Sequence, residues 1–250
     1  MRTVLVTGGG RGIGRAIALA FAGPGATVAI AARTGAQLAD AACEIEARGG
    51  KALTLQMDVT DAAAVARALQ PLKSSPIDVL VNNAGIGGGL PVDAADVEHW
   101  RRILDTNVWG TFLVSHHVVP LMGAGGRIIN LSSVLGRFGV PGYTAYCSSK
   151  HAIIGFTRAL ALEVVKRKIT VNAIAPGWVE TDMAALGMTQ GAKYAKVSFD
   201  EFKDQQISAV PIKRIIDPTE IAALVKFLSS ADASAITGQT YNICGGQVMS

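Results

Sequence analysis

The sequence predicts an α/β protein, in which a doubly wound parallel sheet of about seven strands carries helices on both faces. Short β-branched runs alternate with longer Ala- and Leu-rich segments along the chain. Most of the short runs are apolar nearly throughout, as strands buried on both faces should be. The alternation indicates right-handed β-α-β units, and a length of 250 residues suits a single domain over 1–250.

The elements can be assigned in order along the chain. The predicted strands are Thr3–Val6, Thr27–Ala31, Ala52–Met57, Val79–Val81, Arg127–Leu131, Thr170–Ile174 and Thr240–Ile243. The predicted helices are 12–22, 35–48, 61–70, 94–121, 144–166 and 218–229. Asp61 and Thr144 are predicted N-caps, and Pro218 fits a first helical turn. Segment 183–212 has no strand signal, and we predict a substrate lid there.

Composition argues against several classes of function. The net charge is +4, but the basic residues are scattered apart from the run 166–168. That run predicts a solvated helix end, with a patch for an anionic carrier as the alternative, and no nucleic-acid partner is expected. Three widely separated cysteines without ligand spacing predict no metal and a reduced, cytoplasmic protein. The apolar runs are too short for a membrane span, and the immediate first strand predicts no signal peptide.

A glycine-rich segment, Thr7–Gly14, follows the first predicted strand and opens the first predicted helix. Glycines at this point permit a tight turn and let the backbone approach a pyrophosphate, which then faces the helix N-terminus. The spacing is Gly-x-x-x-Gly-x-Gly rather than the common Gly-x-Gly-x-x-Gly. Its place in the first β-α turn predicts a dinucleotide site formed by Gly8, Gly10, Arg11, Gly12, Ile13 and Gly14.

The end of the second predicted strand indicates which dinucleotide is bound. An acidic residue there would bind the ribose 2′-hydroxyl and favour NAD, but the strand ends at Ala32 and Arg33 follows. Arg11 supplies a second guanidinium, and two such groups suit a 2′-phosphate. The sequence therefore predicts NADP(H). The alternative is that both arginines are ordinary surface residues and that NAD(H) is used.

Tyr146 and Lys150 are four residues apart in a predicted helix, so they share one face. A phenol with a pKa of about 10 is a poor proton shuttle at neutral pH, and a nearby ammonium is expected to lower that pKa. Ser133 stands thirteen residues before Tyr146, at the C-terminal end of a predicted strand. Ligands bind at such strand ends in open α/β sheets.

With these motifs in order, the sequence resembles the short-chain dehydrogenase/reductase family over essentially its whole length. The matching segments are Thr7–Gly14 (TGxxxGxG), Asp58-Val59, Asn82–Gly85 (NNAG), Asn107, Ser133, Tyr146 with Lys150 (YxxxK), and Pro176-Gly177 followed by Val179 and Thr181. The resemblance implies a Rossmann-type fold and an NAD(P)-dependent oxidoreductase. It also implies a homotetramer built through helix 144–166 and the C-terminal strand.

The resemblance further implies a role for each member of a catalytic tetrad. Tyr146 would donate the proton during ketone reduction, and Ser133 would hydrogen-bond the same substrate oxygen. Lys150 would lower the pKa of the tyrosine and bind the nicotinamide ribose. Asn107 would hold a water that connects Lys150 to solvent.

The same resemblance places the cofactor along further residues. Asp58 would accept a hydrogen bond from the adenine amino group, with Val59 beside it. Asn83 would lie near the ribose, and Gly85, after Ala84, would let the backbone pass the cofactor closely. The nicotinamide end would be held by Pro176, Gly177, Val179 and Thr181.

The substrate is predicted as a class. Segments 176–183 and 236–239 resemble 3-oxoacyl-thioester reductases, whereas the longer lid, Gly87–Gly89 and 210–214 resemble aromatic polyketide ketoreductases. Segment 242–246 is shared with hydroxybutyrate-type dehydrogenases. We therefore predict a small 3-oxoacyl-type, β-keto or cyclic ketone, free or linked to a carrier protein or CoA. The candidate substrate contacts are Ser133, Val140, Tyr143, Trp178 and Met183.

Three other functions are open alternatives. An alcohol, hydroxybutyrate-type or sugar-alcohol dehydrogenase of the same family would use the same residues in the oxidising direction. A catalytically silent NADP-binding regulator is disfavoured, because all four tetrad members are present. A methyltransferase also carries a glycine-rich turn after its first strand, but it would not need Ser133, Tyr146 and Lys150 in register.

Overall fold

The computed structural model describes residues 2–74, 76–94 and 96–249, and its centre is a parallel sheet of seven strands. The strands are β1 (Arg2–Thr7), β2 (Ala26–Ala32), β3 (Lys51–Gln56), β4 (Val79–Asn82), β5 (Arg127–Leu131), β6 (Thr170–Pro176) and β7 (Thr240–Ile243). Their order is β3-β2-β1-β4-β5-β6-β7, and every neighbouring pair is parallel. The doubly wound fold predicted from the sequence is thereby confirmed, with its switch of direction between β1 and β4.

Helices cover both faces of this sheet. They are α1 (Gly12–Phe21), α2 (Gly35–Ala47), α3 (Ala62–Ala68), α4 (Val97–Leu104), α5 (Gly110–Val118), α6 (Thr144–Val164), α7 (Asp182–Ala195), α8 (Phe199–Ala209) and α9 (Pro218–Leu228). Successive residues of a strand point to opposite faces. Val4 and Val6 of β1 accordingly pack with α1, α2 and α9, whereas Leu5 packs with α3, α5 and α6.

Two of the three predicted helix starts are confirmed. Asp61 caps α3, because its Oδ1 accepts hydrogen bonds from the backbone N–H groups of Ala63 and Ala64. Pro218 occupies the first turn of α9, after a capping box formed by Asp217 and Glu220. The N-cap predicted at Thr144 is wrong. Thr144 is already helical and Tyr143 precedes it, because the Tyr143 carbonyl accepts the hydrogen bond from Cys147 N (2.8 Å).

The single helix predicted over 94–121 is also wrong. In the described part of this segment, α4 is followed by a π-helical turn, Asp105–Trp109, then by α5 and by a 3₁₀ turn at Val119–Leu121. The N–H of Gly110 donates to the carbonyl of Asp105, five residues earlier. Such π turns occur often at functional sites, and Asn107 lies inside this one. Residue 95 of the predicted helix lies outside the described residues.

The segment predicted as a lid, 183–212, consists mainly of two helices, α7 and α8. It is anchored where it leaves and rejoins the domain by a parallel bridge between Val179 and Ile216. Ile216 N donates to the Trp178 carbonyl at 2.9 Å. The two helices pack closely, because glycine at position 191 leaves room for the ring of Phe202. A Cβ on Gly191 would lie 2.3 Å from that ring. The segment is thus a helical unit whose two ends are held together by backbone pairing.

Three further features bear on binding to an anionic partner, a membrane or a metal ion. Residues 166–168 are exposed and follow the end of α6, as the prediction of a solvated helix end requires. In the described ranges, no helix is both long and apolar enough to cross a membrane. Within the same residues, no cluster of three or more His, Cys, Asp or Glu side chains could hold a metal ion.

Candidate active site

The predicted site residues gather at the carboxyl edge of the sheet. Thr7 ends β1, Asn82 ends β4, Leu131 ends β5 and Pro176 ends β6. Because the strands are parallel, the loops that follow them open at one edge, where ligands bind in open α/β sheets. The NNAG loop, the Ser133 loop and the glycine turn therefore meet at one place.

Ser133, Tyr146 and Lys150 converge there. Ser133 lies beside Tyr146, close enough for its hydroxyl to lower the pKa of the phenol. Nζ of Lys150 lies 5.4 Å from the centre of the Tyr146 ring, one helical turn further along α6. Ser133 is held in place because its Oγ accepts a hydrogen bond from Leu135 N (3.1 Å) at the start of a 3₁₀ turn. The structure thus brings three of the four predicted catalytic residues into one group.

The protonation of Tyr146 differs from the sequence-based expectation. Burial raises the pKa of Tyr146 to about 12, and the Ser133 hydroxyl only partly opposes that effect. We expected Lys150 to lower this pKa. The ammonium instead donates to the main-chain carbonyl of Leu131 at 2.9 Å, and loss of water around the phenol outweighs its influence.

Lys150 is itself strongly affected by its surroundings. Its side chain is buried, and burial lowers its pKa to about 8. Ser132 fixes the same turn of α6, because its hydroxyl donates to the Lys150 carbonyl at 2.8 Å. Ser132 therefore has a structural role next to Ser133.

Asn107, the fourth predicted member, is buried against the NNAG loop. Its Oδ1 accepts from Ile86 N at 2.9 Å, and its Nδ2 donates to the Ile86 carbonyl at 3.0 Å. A Cβ on Gly85 would lie 3.1 Å from Asn107 Oδ1 and 3.7 Å from Lys150 Nζ. Glycine at position 85 therefore lets the loop approach both side chains. The water-holding role of Asn107 stays a prediction.

The glycine turn is tied to the NNAG loop by two side chains. The Thr7 hydroxyl accepts hydrogen bonds from the N–H groups of Asn83 and Ala84, both at 3.0 Å. Asn83 Nδ2 donates to the carbonyls of Thr7 and Gly8. A Cβ on Gly14 would lie 2.2 Å from the Gly8 carbonyl oxygen. Asn83, predicted to lie near the ribose, thus has its amide engaged in holding this turn.

The turn fits a phosphate group. Gly8 and Gly12 have φ values of 66° and 53°, which favour glycine. The first turn of α1, which is described completely, contains no acidic residue, and Arg11 makes no side-chain cap bond. The N-terminal N–H groups of α1 are thus directed toward a position where an anion is stabilised. The donor groups present match the pyrophosphate of a dinucleotide.

Two ion pairs flank the turn. Arg33 Nη1 lies 3.8 Å from Asp58 Oδ2, beyond the ends of β2 and β3. Arg11 Nη1 lies 3.6 Å from Asp182 Oδ2, at the first residue of α7. Thr181, the N-cap of α7, stands over the glycine turn, since a Cβ on Gly12 would lie 3.3 Å from its Cγ2.

Two of the predicted substrate contacts, Tyr143 and Met183, lie against the glycines at 87–89. A Cβ on Gly87 would contact Met183 Sδ at 3.6 Å and the Tyr146 ring at 3.7 Å. A Cβ on Gly89 would clash with the Tyr143 ring at 2.7 Å. Trp178 is half-buried at the base of α7, where a Cβ on Gly187 would meet its ring at 3.5 Å. Val140 is half-buried in the loop before α6.

The remaining predicted cofactor residues are largely built into the scaffold. Val59 is buried and packs against α5, where a Cβ on Gly110 would lie 2.6 Å from its Cγ2. Gly177 N donates to the Ile243 carbonyl at 2.8 Å, which joins the end of β6 to β7. Ile13 and Ala84 pack against the two apolar layers, Pro176 is buried at the end of β6, and Val179 is buried beyond that strand.

Sequence reasoning missed Ser149. It is completely buried, accepts a hydrogen bond from Asn107 Nδ2 at 3.0 Å, and donates to the Tyr146 carbonyl at 2.8 Å. The signal was available, since Ser149 lies three residues after Tyr146 on a helix. A serine so placed can bond back to the carbonyl of the preceding turn.

Comparison with known proteins agrees with this geometry. A family model described as enoyl-(acyl carrier protein) reductase matches residues 8–247. A 3-oxoacyl-[acyl-carrier-protein] reductase from Synechocystis is 39% identical over 99% of this chain and 97% of its own. The chain belongs to the short-chain dehydrogenase/reductase family, and it is therefore an oxidoreductase.

Two solved structures superpose closely. One is a variant of actinorhodin polyketide ketoreductase with NADPH, at a TM-score of 0.92 and 37% identity, covering 98% of this chain and 97% of that one. The other is xylitol dehydrogenase with NAD⁺, at a TM-score of 0.94 and 34% identity, covering 98% of each chain. The fold thus accommodates either dinucleotide among its relatives.

Proposed function

We propose that this protein is an NADP(H)-dependent ketoreductase that converts a ketone into a secondary alcohol. The observation that carries the proposal is the convergence of Tyr146, Ser133 and Lys150 at the carboxyl edge of the sheet, with Lys150 Nζ 5.4 Å from the centre of the Tyr146 ring. The Synechocystis relative, named for reduction of a 3-oxoacyl group, supports the same chemistry.

Tyr146 acts as the general acid in this scheme. Since burial raises its pKa to about 12, the phenol is protonated at neutral pH, which is the state that a proton donor needs. Ser133 hydrogen-bonds the substrate oxygen and orients it toward that proton. As the oxygen gains negative charge, these two hydroxyl groups stabilise it together.

The glycine turn and the N-terminus of α1 would hold the pyrophosphate, and Lys150 would reach the nicotinamide ribose. When bound, the nicotinamide cofactor supplies the hydride. Asp58 would meet the adenine, and Thr181 and Val179 would meet the carboxamide and phosphate region. The protein contributes position and electrostatics, which is sufficient because hydride transfer depends on close alignment of the two reacting carbons.

NADP(H) is the preferred cofactor in this proposal. Arg33 lies directly after β2, where an acidic residue would favour NAD, and Arg11 lies in the glycine turn. Both guanidinium groups are largely exposed, and each pairs with a carboxylate at a distance of 3.6 Å or more. They can therefore turn to a 2′-phosphate, which accepts stronger charge-assisted hydrogen bonds.

The substrate in this proposal is a 3-oxoacyl thioester or a related β-keto or cyclic ketone. Tyr143 and Met183 lie against the glycines at 87–89, which keep the wall beside Tyr146 free of side chains, and Trp178 lies against Gly187 of α7. Such a wall suits an apolar or flat substrate. Attachment to a carrier protein or to CoA is the extension that the Synechocystis relative's name suggests.

Oxidation of an alcohol is the second candidate, and the close superposition on xylitol dehydrogenase favours it.

Assembly into a homotetramer is part of both candidates. Leu162 on α6 is 78% exposed, and β7 pairs only with β6 within the described residues, so both elements offer surfaces for a second copy. Light scattering tests the assembly, and a monomeric mass would contradict it.

The decisive experiment is a consumption assay with NADPH and NADH across β-keto thioesters, cyclic diketones and aryl ketones, with the reverse reaction measured on the matching alcohols. We expect NADPH-dependent reduction of at least one β-keto substrate. Turnover confined to alcohols with NAD⁺ would replace the proposal by the second candidate.

A further inference from the structure

Ser149 occupies an unusual position in α6. It immediately precedes Lys150, its side chain is completely buried, and both hydrogen-bonding functions of its hydroxyl are used. The hydroxyl donates to the Tyr146 carbonyl at 2.8 Å and accepts from Asn107 Nδ2 at 3.0 Å. A single oxygen atom thus joins the π turn that carries Asn107 to the turn of α6 that carries Tyr146.

This oxygen completes a continuous chain of hydrogen bonds. Ile86 of the NNAG loop is bound at both its N–H and its carbonyl by the Asn107 amide. The remaining N–H of that amide reaches Ser149. Buried polar groups that are fully connected in this way hold a unique geometry, because breaking one bond leaves a buried partner unsatisfied.

We propose that Ser149 is a positioning residue that couples Asn107 to Tyr146. It thereby fixes the position of the Tyr146 phenol relative to the NNAG loop. It contacts neither substrate nor cofactor and acts through the backbone of Tyr146. The proposal rests on the proposed function for the role of Tyr146, whereas the hydrogen-bonded chain itself does not depend on it. Ser132 holds the other end of the same helical turn, at the Lys150 carbonyl.

The test compares Ser149→Ala with Ser148→Ala, a matched control one residue away whose side chain is exposed. We expect Ser149→Ala to lower kcat about tenfold while the Kd for NADPH changes less than about twofold, since misplacement of a reacting group affects the chemical step. Ser149→Thr keeps the hydroxyl, which in a helix can bond the carbonyl of the preceding turn, and should retain most of the rate. Equal kcat in the Ser149→Ala and Ser148→Ala variants would overturn the proposal.

A double-mutant cycle separates coupling from general destabilisation. Because Ser149 is argued to act with Asn107, Ser149→Ala should cost little further kcat in an Asn107→Ala background, whereas independent effects would multiply. Multiplicative losses would overturn the proposal.

Hydrogen exchange gives a readout that needs no substrate. Amide exchange in 105–109 and 144–150 should accelerate in Ser149→Ala relative to Ser148→Ala, and unchanged exchange would overturn the coupling. If the wild-type protein reduced no ketone in the assay above, the proposed function would fail, while this exchange comparison would still decide whether Ser149 joins the two segments.

Discussion

The guanidinium of Arg33 and the carboxylate of Asp58 form an ion pair, with Nη1 and Oδ2 separated by 3.8 Å. The two side chains are 69% and 41% exposed, so the pair itself adds little to stability. Their shared position beyond β2 and β3 places one positive and one negative group at the adenosine end of the proposed cofactor site. Each charge is therefore available to a different part of the dinucleotide.

Replacing Arg33 by Asp should change the cofactor preference. The new carboxylate would repel a 2′-phosphate and accept from a ribose hydroxyl, so the ratio of kcat/KM for NADPH to that for NADH should fall at least about tenfold. Steady-state kinetics with both cofactors measure this ratio. Arg101→Asp is the control, because Arg101 also pairs with an aspartate but lies on α4. An unchanged ratio in Arg33→Asp would contradict the NADP assignment.

Replacing Tyr146 by Phe should abolish reduction, because the ring is kept and only the donated proton is lost. We expect kcat to fall by about 10²-fold or more, with NADPH still bound as judged by fluorescence titration. Tyr194→Phe, which removes a largely exposed phenol on α7, should retain most activity. Substantial turnover by Tyr146→Phe would exclude the proposed acid.

Lys150 should make stability depend on pH in a defined window. Its pKa is lowered by burial to about 8, below the value of about 10.4 for a free lysine. Between these two pH values the unfolded chain binds more protons at this residue than the folded chain does. The contribution of Lys150 to the free energy of unfolding therefore rises with pH from about 8 to about 10.

Lys150→Met removes this titration and keeps a long side chain. The free energy of unfolding of the wild type, minus that of Lys150→Met, should rise as the pH increases from 7 to 10, as measured by urea denaturation. Lys226→Met, at an exposed position on α9, should show no such trend. A difference that is constant with pH would show that Lys150 is not held in a destabilised charged state.

A side chain at position 14 should disrupt the glycine turn. The Cβ of Gly14→Ala would lie 2.2 Å from the Gly8 carbonyl oxygen and 2.5 Å from Asn83 Nδ2, so the turn and the NNAG loop would have to separate. We expect a loss of about 2 kcal/mol or more in the free energy of unfolding, together with weaker NADPH binding. Gly155→Ala is the matched helical control, since a Cβ there meets no atom within 4 Å. Equal stability of the two variants would contradict the close packing at Gly14.

The sequence predicted the sheet well because buried strands are marked by continuous apolar runs. Arg127–Leu131 and Thr240–Ile243 were predicted with the bounds that the structure has. The π turn at 105–109 was missed, because it lies between two helices and the whole segment therefore resembles one continuous helix. The start of α6 at Thr144 was predicted, but the N-cap was assigned to Thr144 and not to Tyr143, because a threonine suits either side of a helix boundary.

The sequence predicted which residues form the site, but it did not predict the direction in which the pKa of Tyr146 is shifted. Motif spacing brought Ser133, Tyr146 and Lys150 together, as the structure also does. The direction of the Tyr146 pKa was wrong, because desolvation depends on how closely the loops pack and no local pattern encodes that. For Ser149, the local bond to the Tyr146 carbonyl could have been predicted from the spacing, whereas the bond from Asn107 could not, since Asn107 is distant in sequence and becomes a neighbour only after the fold forms.

Because of the π turn, the geometry of the active site depends on the number of residues between α4 and α5. An α-helix advances about 100° per residue, so deleting one residue from 105–109 would restore a regular helix and rotate α5 against α4 by about that angle. Asn107 would then turn away from Ile86, while both helices could still form. A single-residue deletion is therefore more damaging here than most substitutions would be, and the spacing of this segment is as much a signature of the site as the side chains it carries.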